Sequence, residues 1–277
     1  MFYFWPMKFL AGLFLLCAIC VSCGNDDTSA DPGTDTSTGT PATAPSIAHQ
    51  VTAAYPHDTS SFTEGLLFYN GQLLESGGNY GRSKIFLYDL KTGRQSHTTP
   101  VDAKFFGEGT CVFRDTIYQM TWKEKTVLVY DKNLRKIKEL PLPIDGWGLT
   151  TDGASFIASD GSSNLNFFDP STFRLLRTQG VTENGMPISN INELEYVDGV
   201  LYANQWQTNY ILRIDPASGR VTGRLDLSDL DQRAHAKNPQ ADVLNGIAYD
   251  PSTKKLYVTG KNWPEIYELQ VSPAPAQ

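Results

Sequence analysis

From about residue 48 onward, short apolar segments alternate with polar turns, and the alternation itself repeats. Each repeat opens on a segment with a central glycine or its equivalent: FTEGLLF at 62–68, FGEGTCVF at 106–113, GWGLTTD at 146–152, INELEYV at 191–197 and LNGIAYD at 244–250. A second apolar run follows each opening: QLLESG at 72–77, TIYQMTW at 116–122, SFIASDG at 155–161, VLYANQW at 200–206 and KLYVTGK at 255–261. A third comes next: KIFLYDL at 84–90, TVLVYDK at 126–132, NLNFFDP at 164–170, YILRIDP at 210–216 and EIYELQV at 265–271. After four of the five, a turn such as DLKTGR at 89–94 or DPASGR at 215–220 leads into a shorter fourth run. Runs of this length, rich in β-branched and aromatic residues and bounded by Gly, Asp, Asn and Pro, read as strands. Aligned on Gly65, Gly109, Gly148, Leu194 and Gly246, the repeats are spaced by 44, 39, 46 and 52 residues.

Four strands per unit at that period predict an all-β fold, a five-bladed β-propeller with four-stranded blades. The fifth repeat runs out of chain near Val271, while AHQVTAAY at 48–55 is a spare strand. This N-terminal strand is expected to be the outer strand of the last blade and to close the ring. A β-sandwich has no need of five matched repeats. One short helix is expected, SDLDQRAHAK at 228–237, in the long fourth-to-fifth connection.

Composition narrows the reading. The chain has 277 residues, 40% hydrophobic and 12% aromatic, with 23 glycines and 16 prolines, which excludes a disordered chain. Its formal charge of −7 argues against nucleic-acid partners. Three of the four cysteines, Cys17, Cys20 and Cys23, lie within or just after an apolar stretch at 9–21 preceded by Lys8. Only Cys111 falls in the predicted propeller, so an internal disulfide is not expected there. That apolar stretch has the order of an export signal and is short for a membrane span. VSCGNDD at 21–27 resembles a bacterial lipoprotein cleavage box, which implies cleavage before Cys23 and lipid on its sulfur. The expected organisation is a signal peptide at 1–22, a lipidated Cys23 with a disordered linker through 47, and a propeller at 48–277. It places the protein at the periplasm or outer membrane, anchored by its lipid. Asp26, Asp27, Asp31 and Asp35 belong to the linker, so much of the acidity lies outside the propeller.

The repeat alignment also locates chemistry. It sets Glu64, Glu108, Trp147, Glu193 and Asn245 at one ring position, with Asn192 one step earlier. At the end of the second strands it sets Gly77, Trp122, Asp160, Trp206 and Lys261. Indoles, carboxylates, an amide and a lysine thus converge on one mouth of the channel, the usual make-up of a small-ligand site.

FFGEG at 105–109, DGWGLTTDG at 145–153, SDGS at 159–162, INELEY at 191–196, NQWQT at 204–208, DVLNGIAYD at 242–250 and VTGKNWP at 258–264 together resemble the plant-type glutaminyl-peptide cyclotransferases. These are five-bladed propellers with bacterial relatives, unrelated to the zinc-dependent animal type. The similarity runs through about residues 60–269. It implies cyclisation of an N-terminal glutamine to pyroglutamate with loss of ammonia. Glu108 matches the family's catalytic glutamate, implied to take the α-amine proton and pass it to the leaving nitrogen. Asn192 matches an asparagine that hydrogen-bonds the substrate amide, and Lys261 a lysine suited to the oxyanion or the substrate carbonyl. Trp122, Trp147, Trp206 and Phe62 match pocket aromatics. Glu64 departs from the glutamine of the plant enzymes, and its carboxylate is expected to draw the substrate ammonium. Each of these has an ordinary alternative: a channel-lining carboxylate, a turn asparagine, a loop lysine, a blade-packing indole. Trp263 reads better as packing.

The resemblance implies N-terminal Gln peptides as substrates, a monomer, and no cofactor or zinc in the chemistry. It implies a structural calcium ion as well, whose ligands, partly main-chain, are unknown from the sequence. The four histidines share no ligand spacing with one another or with Cys111. Two other readings stay open at this point. One is a non-catalytic propeller that binds peptide or protein partners at the same mouth. The other is a calcium-dependent lactonase, which this indole-rich rim suits less well.

Overall fold

The structure, a computed structural model, describes residues 43–272. Five four-stranded antiparallel sheets follow one another along the chain. The first blade comprises Thr63–Tyr69, Gln72–Gly77, Lys84–Tyr88 and Gln95–Pro100, and the second Gly107–Phe113, Thr116–Thr121, Thr126–Tyr130 and Lys136–Pro141. The third comprises Leu149–Thr151, Phe156–Ser159, Asn164–Phe168 and Leu175–Gly180, and the fourth Ile191–Val197, Val200–Gln205, Tyr210–Ile214 and Val221–Asp226. In the fifth, Leu244–Asp250, Lys255–Gly260 and Glu265–Val271 are joined by His49–Pro56, which pairs from His49↔Val271 to Pro56↔Glu265. The ring is closed by the N-terminal strand, as its spare position in the repeat count predicts.

Burial falls from the axis outward. Thr63–Tyr69 is buried at most positions, whereas Lys136–Pro141 and Leu175–Gly180 are mostly exposed. Five apolar clusters lie between neighbouring blades. Leu74 and Ile85 meet Ile117 and Leu128 at the first seam, and Met120 and Val127 meet Phe156 and Phe168 at the second. Ile157 and Leu165 meet Leu201 and Leu212 at the third. The fourth seam holds Ile211, Val258 and Trp263 together with Leu230 of the helix Ser228–Lys237, and the fifth joins Ile266 to Leu73 and Phe86. The aspartate that ends the third strand of blades one to four is explained locally. Asp89, Asp131, Asp169 and Asp215 each accept backbone N–H groups from their own turn, fixing the hairpin to the outer strand.

The linker boundary moves. Residues 44–47, assigned to the linker by composition, run beside the outer strand of blade four. Arg224 N donates to Pro45 O and Ile47 N to Arg224 O, while Ala44 N donates to Glu183. Ile47 is buried in the fourth seam, an apolar side chain the polar tract conceals. The signal and lipidation assignments, Cys23 included, lie outside the described residues.

Candidate active site

Four of the five inner strands carry the same irregularity. Their registers shift between Thr63 and Gly65, Gly107 and Thr110, Ile191 and Leu194, and Leu244 and Ile247. A β-bulge bends a strand and re-aims the side chain at the bulge. The bulges hold Glu64, Glu108, Asn192 and Asn245 at one equivalent position. The sequence alignment had set Glu193 there, one residue late. Glu193 instead shares the position of Gly65, Gly109 and Gly246. At Gly109 an added Cβ would lie 2.4 Å from Leu149 N of the next blade, so that blade has no room for a side chain. In blade four the Glu193 side chain crosses to accept from Leu66 N at 3.4 Å and Ile247 N at 2.8 Å. A second one-residue correction concerns the rim. Gly78 N donates to Phe62 O as Trp122 N does to Phe106 O and Trp206 N to Asn190 O, so Gly78, not Gly77, matches the two indoles. A Cβ on Gly78 would lie 2.4 Å from the Phe106 ring, and its absence is what admits that ring.

A cavity of about 430 Å³ opens over these bulges. Phe62, Glu64, Glu108, Trp122, Trp147, Asn192, Trp206 and Lys261 all line it. Gly77 and Asp160 do not. Trp263 is fully buried in the fourth seam, where its indole N–H donates to Asp242 O. Trp147 and Trp206 meet edge to face with ring centres 5.4 Å apart, and Phe106 packs against both Trp122 and Phe62. Aromatic walls thus surround a floor of polar groups.

That floor is nearly dry: Glu64 is 2% exposed, Asn192 3%, Glu108 5% and Lys261 6%. Lys261 Nζ donates to Glu64 Oε1 at 2.6 Å and sits 4.4 Å from the Phe62 ring centre. Asn245 Nδ2 donates to Glu64 Oε2 at 3.2 Å. Burial raises the pKa of Glu64, and the Lys261 ammonium opposes that rise. Glu64 is therefore paired with Lys261, a cation that offsets its charge. Among the described residues no such cation is in contact with Glu108. Burial, reinforced by the charge of Glu64, pushes it well above the ordinary carboxylate range, and Lys261 offsets only part of this. Its carboxyl accepts no hydrogen bond from a described residue. Its backbone is held instead: Ser76 Oγ donates to Glu108 O, Gln119 Nε2 donates to Ser76 Oγ, and Tyr130 OH donates to Gln119 Oε1. A rigid main chain thus presents a carboxyl whose own hydrogen bonds are left for a ligand.

Asn192 Oδ1 and Asn245 Oδ1 are buried without a hydrogen-bond partner, at bulges of neighbouring blades. With the Glu193 carboxylate they are hard oxygen donors, the chemistry calcium takes and unlike the nitrogen and sulfur ligands typical of structural zinc. Among the described residues no group of three or more His, Cys, Asp or Glu is placed to hold a metal. The donors fit a hard cation in kind.

The glutamine cyclotransferase family model matches residues 17–271. The chain is 39% identical over 232 residues to the glutaminyl-peptide cyclotransferase of Arabidopsis thaliana, covering 82% of this chain and 72% of that protein. It belongs to the glutamine cyclotransferase family. The crystal structure of Myxococcus xanthus glutaminyl cyclase superimposes with a TM-score of 0.77 at 32% identity, covering 82% of this chain and 98% of the other.

For a glutamine cyclotransferase, four further lining residues emerge that were not singled out in the sequence: Phe106, Gln207, Asp242 and Val243. All four stand inside motifs that carry the resemblance, next to residues with more obvious chemistry. Gln207 follows Trp206 in a bend at φ 63°, a loop conformation that strand periodicity does not encode.

Proposed function

We propose that this glutamine cyclotransferase converts the N-terminal glutamine of peptides and proteins to pyroglutamate. The observation that carries the reading is Glu108, a buried carboxyl without hydrogen bonds, facing an indole-walled cavity beside Asn192 and Lys261. The substrate's α-amine attacks its own γ-carboxamide carbon. A C–N bond forms in a five-membered ring, the bond to the amide nitrogen breaks, and ammonia leaves. Because the reaction is intramolecular, the site has to fold the side chain back on the amine and move one proton.

Glu108 in its carboxylate form accepts that proton from the amine and returns it to the departing nitrogen. Its raised pKa makes it a stronger proton acceptor than an ordinary carboxylate. Asn192 Nδ2, without a partner among the described residues, is free to donate to the γ-carbonyl oxygen. Lys261 has donors left beyond the one on Glu64, and with Asn192 it stabilises the oxyanion of the tetrahedral intermediate. Trp122, Trp147, Trp206 and Phe62 exclude water, which would otherwise compete for the carbonyl, and press the side chain into its cyclic shape. Proton transfer and charge stabilisation both come from side chains, so the chemistry is independent of zinc. A calcium ion held by Asn192, Asn245 and Glu193 would act structurally, tying adjacent inner strands together.

The sequence of 21–27 further supports an exported lipoprotein held to a membrane through Cys23 at the periplasm or outer membrane, and the reading is of a monomer acting on exported chains. No described helix is long and apolar enough to cross a membrane. The deciding experiment is an ammonia-release assay on a Gln-initiated dipeptide amide, with the product confirmed by mass as the lactam. Turnover that survives zinc chelation is the expected result. Binding without ammonia release would refute the reading in favour of a non-catalytic peptide-binding propeller.

A further inference from the structure

The reactive floor of the cavity is buried, but two of its lining residues are exposed, Gln207 and Asp242. They are the lining residues that a peptide extending from the floor to solvent is best placed to meet. Asp242 is held firmly at this exit. Its N–H donates to Lys261 O at 2.8 Å, its carbonyl accepts the Trp263 indole N–H at 2.8 Å, and its Oδ1 accepts Val243 N at 2.7 Å. The carboxylate is thus aimed by the loop that carries Lys261, and among the described residues no cation pairs with it.

The neighbouring cations are spoken for. Lys261 is bound to Glu64, while Lys123 and Lys125 both lie against Asp145, at 2.5 and 3.6 Å, with Lys123 Nζ over the Trp122 ring. Glu124 is held on the Tyr80 hydroxyl and Phe106 N, without a cation. The mouth therefore carries an excess of carboxylate, and Asp242, which lines the cavity at an exposed position, is the member placed to meet a peptide leaving it.

We propose that Asp242 is a specificity-determining residue that selects Gln-initiated peptides with Lys or Arg in second position and disfavours Asp or Glu there. This rests on the cyclotransferase reading above. An exposed ion pair has a modest effect, so the lysine and glutamate peptides should differ about 3- to 10-fold in kcat/KM. Salt near physiological strength and above should compress that difference.

The test compares Gln-Lys, Gln-Ala and Gln-Glu dipeptide amides, which lack a C-terminal carboxylate, on the full chain and on Asp242→Asn and Asp242→Lys. Asparagine keeps the oxygen that receives Val243 N and removes only the charge. The expected order is Lys over Ala over Glu, with the Lys-to-Glu ratio falling towards one in Asp242→Asn and inverting in Asp242→Lys. Equal kcat/KM for all three peptides on the unaltered chain would overturn the inference while leaving the cyclotransferase reading intact. So would a ratio that persists in Asp242→Asn. Failure to cyclise even Gln-Ala would instead overturn the cyclotransferase reading, and this inference with it.

Discussion

Lys261 and Glu64 face each other across the seam between the last blade and the first, Nζ 2.6 Å from Oε1, both almost without solvent. Removing two charges from water costs several kcal/mol per ion, and well-packed apolar residues would stabilise such a seam as well or better. Their place beside Glu108, at the same bulge position as Glu64 one blade away, points to a role in setting the charge of the site.

Glu64→Gln separates that role from simple packing. Glutamine preserves shape and can still accept from Lys261 through its one amide oxygen, at the cost of the bond from Asn245, but it removes the negative charge that helps hold the Glu108 pKa up. The Glu108 carboxylate then persists to lower pH. The acid limb of the kcat–pH profile should move to lower pH. An unmoved limb would show that the charge of Glu64 does not govern Glu108.

Glu108→Gln should reduce kcat by about 10²- to 10⁴-fold, the usual contribution of a proton-transferring side chain. The protein should stay folded. Burial raises the pKa of this carboxyl in the fold, so its ionisation opposes folding once the pH rises above the ordinary glutamate range, and glutamine removes that penalty. Thermal melts at pH 8 should therefore show a Tm no lower than that of the parent. Near-normal kcat would refute the proton-shuttle assignment.

The repeating elements were legible because each obeys a local rule that recurs: a buried inner strand, a turn, and an aspartate that receives its own hairpin's N–H groups. Glu108 and Asn192 were legible as motif residues. The ring position of Glu193 was not, because three of its structural counterparts, Gly65, Gly109 and Gly246, are glycines. An alignment that seeks an apolar or small residue there slides onto Leu194. Glu193 is a side chain where close blade contact elsewhere, as at Gly109, forbids one, and only the three-dimensional gap to Leu66 and Ile247 reveals it. Asp242 and Gln207 were passed over for a different reason. Their effect depends on where loops place them relative to the cavity, which no periodicity encodes.

Gly78→Ala tests the floor's geometry without replacing any of its polar groups. The new methyl would press on the Phe106 ring from 2.4 Å and lie 3.0 Å from the Glu64 side chain. The ring must shift, and it is packed against Phe62, Tyr80 and Trp122, so the wall of the cavity shifts with it. A loss of about tenfold or more in kcat/KM is expected for so small a change, with far-UV circular dichroism unaltered. Unchanged kinetics would mean that the wall yields freely and does not shape the bound side chain.

Stability should depend on pH through the carboxyls buried or half-buried about the inner strands. Burial pushes Glu195 up to about 8, although it accepts Tyr249 N at 2.8 Å, and burial likewise raises Glu193, with the charge of Glu195 adding to it. A carboxyl whose folded pKa lies above its unfolded value contributes stability that is complete below the unfolded value and lost as pH rises through the folded one. Between about pH 4.5 and 8 the folded chain retains a proton at Glu195 that the unfolded chain gives up. Each such proton lowers the unfolding free energy by about 1.4 kcal/mol per pH unit. Tm should therefore fall steadily across that window, and Glu195→Gln should flatten the slope. If calcium occupies the oxygen donors near Glu193, adding it at pH 8 should restore part of the lost Tm, because a cation favours the ionised carboxylate. Glu193→Gln should abolish that restoration. A Tm that rises from pH 5 to 8 in the parent chain would show that these carboxyls are ionised in the fold and paired by groups other than those seen here.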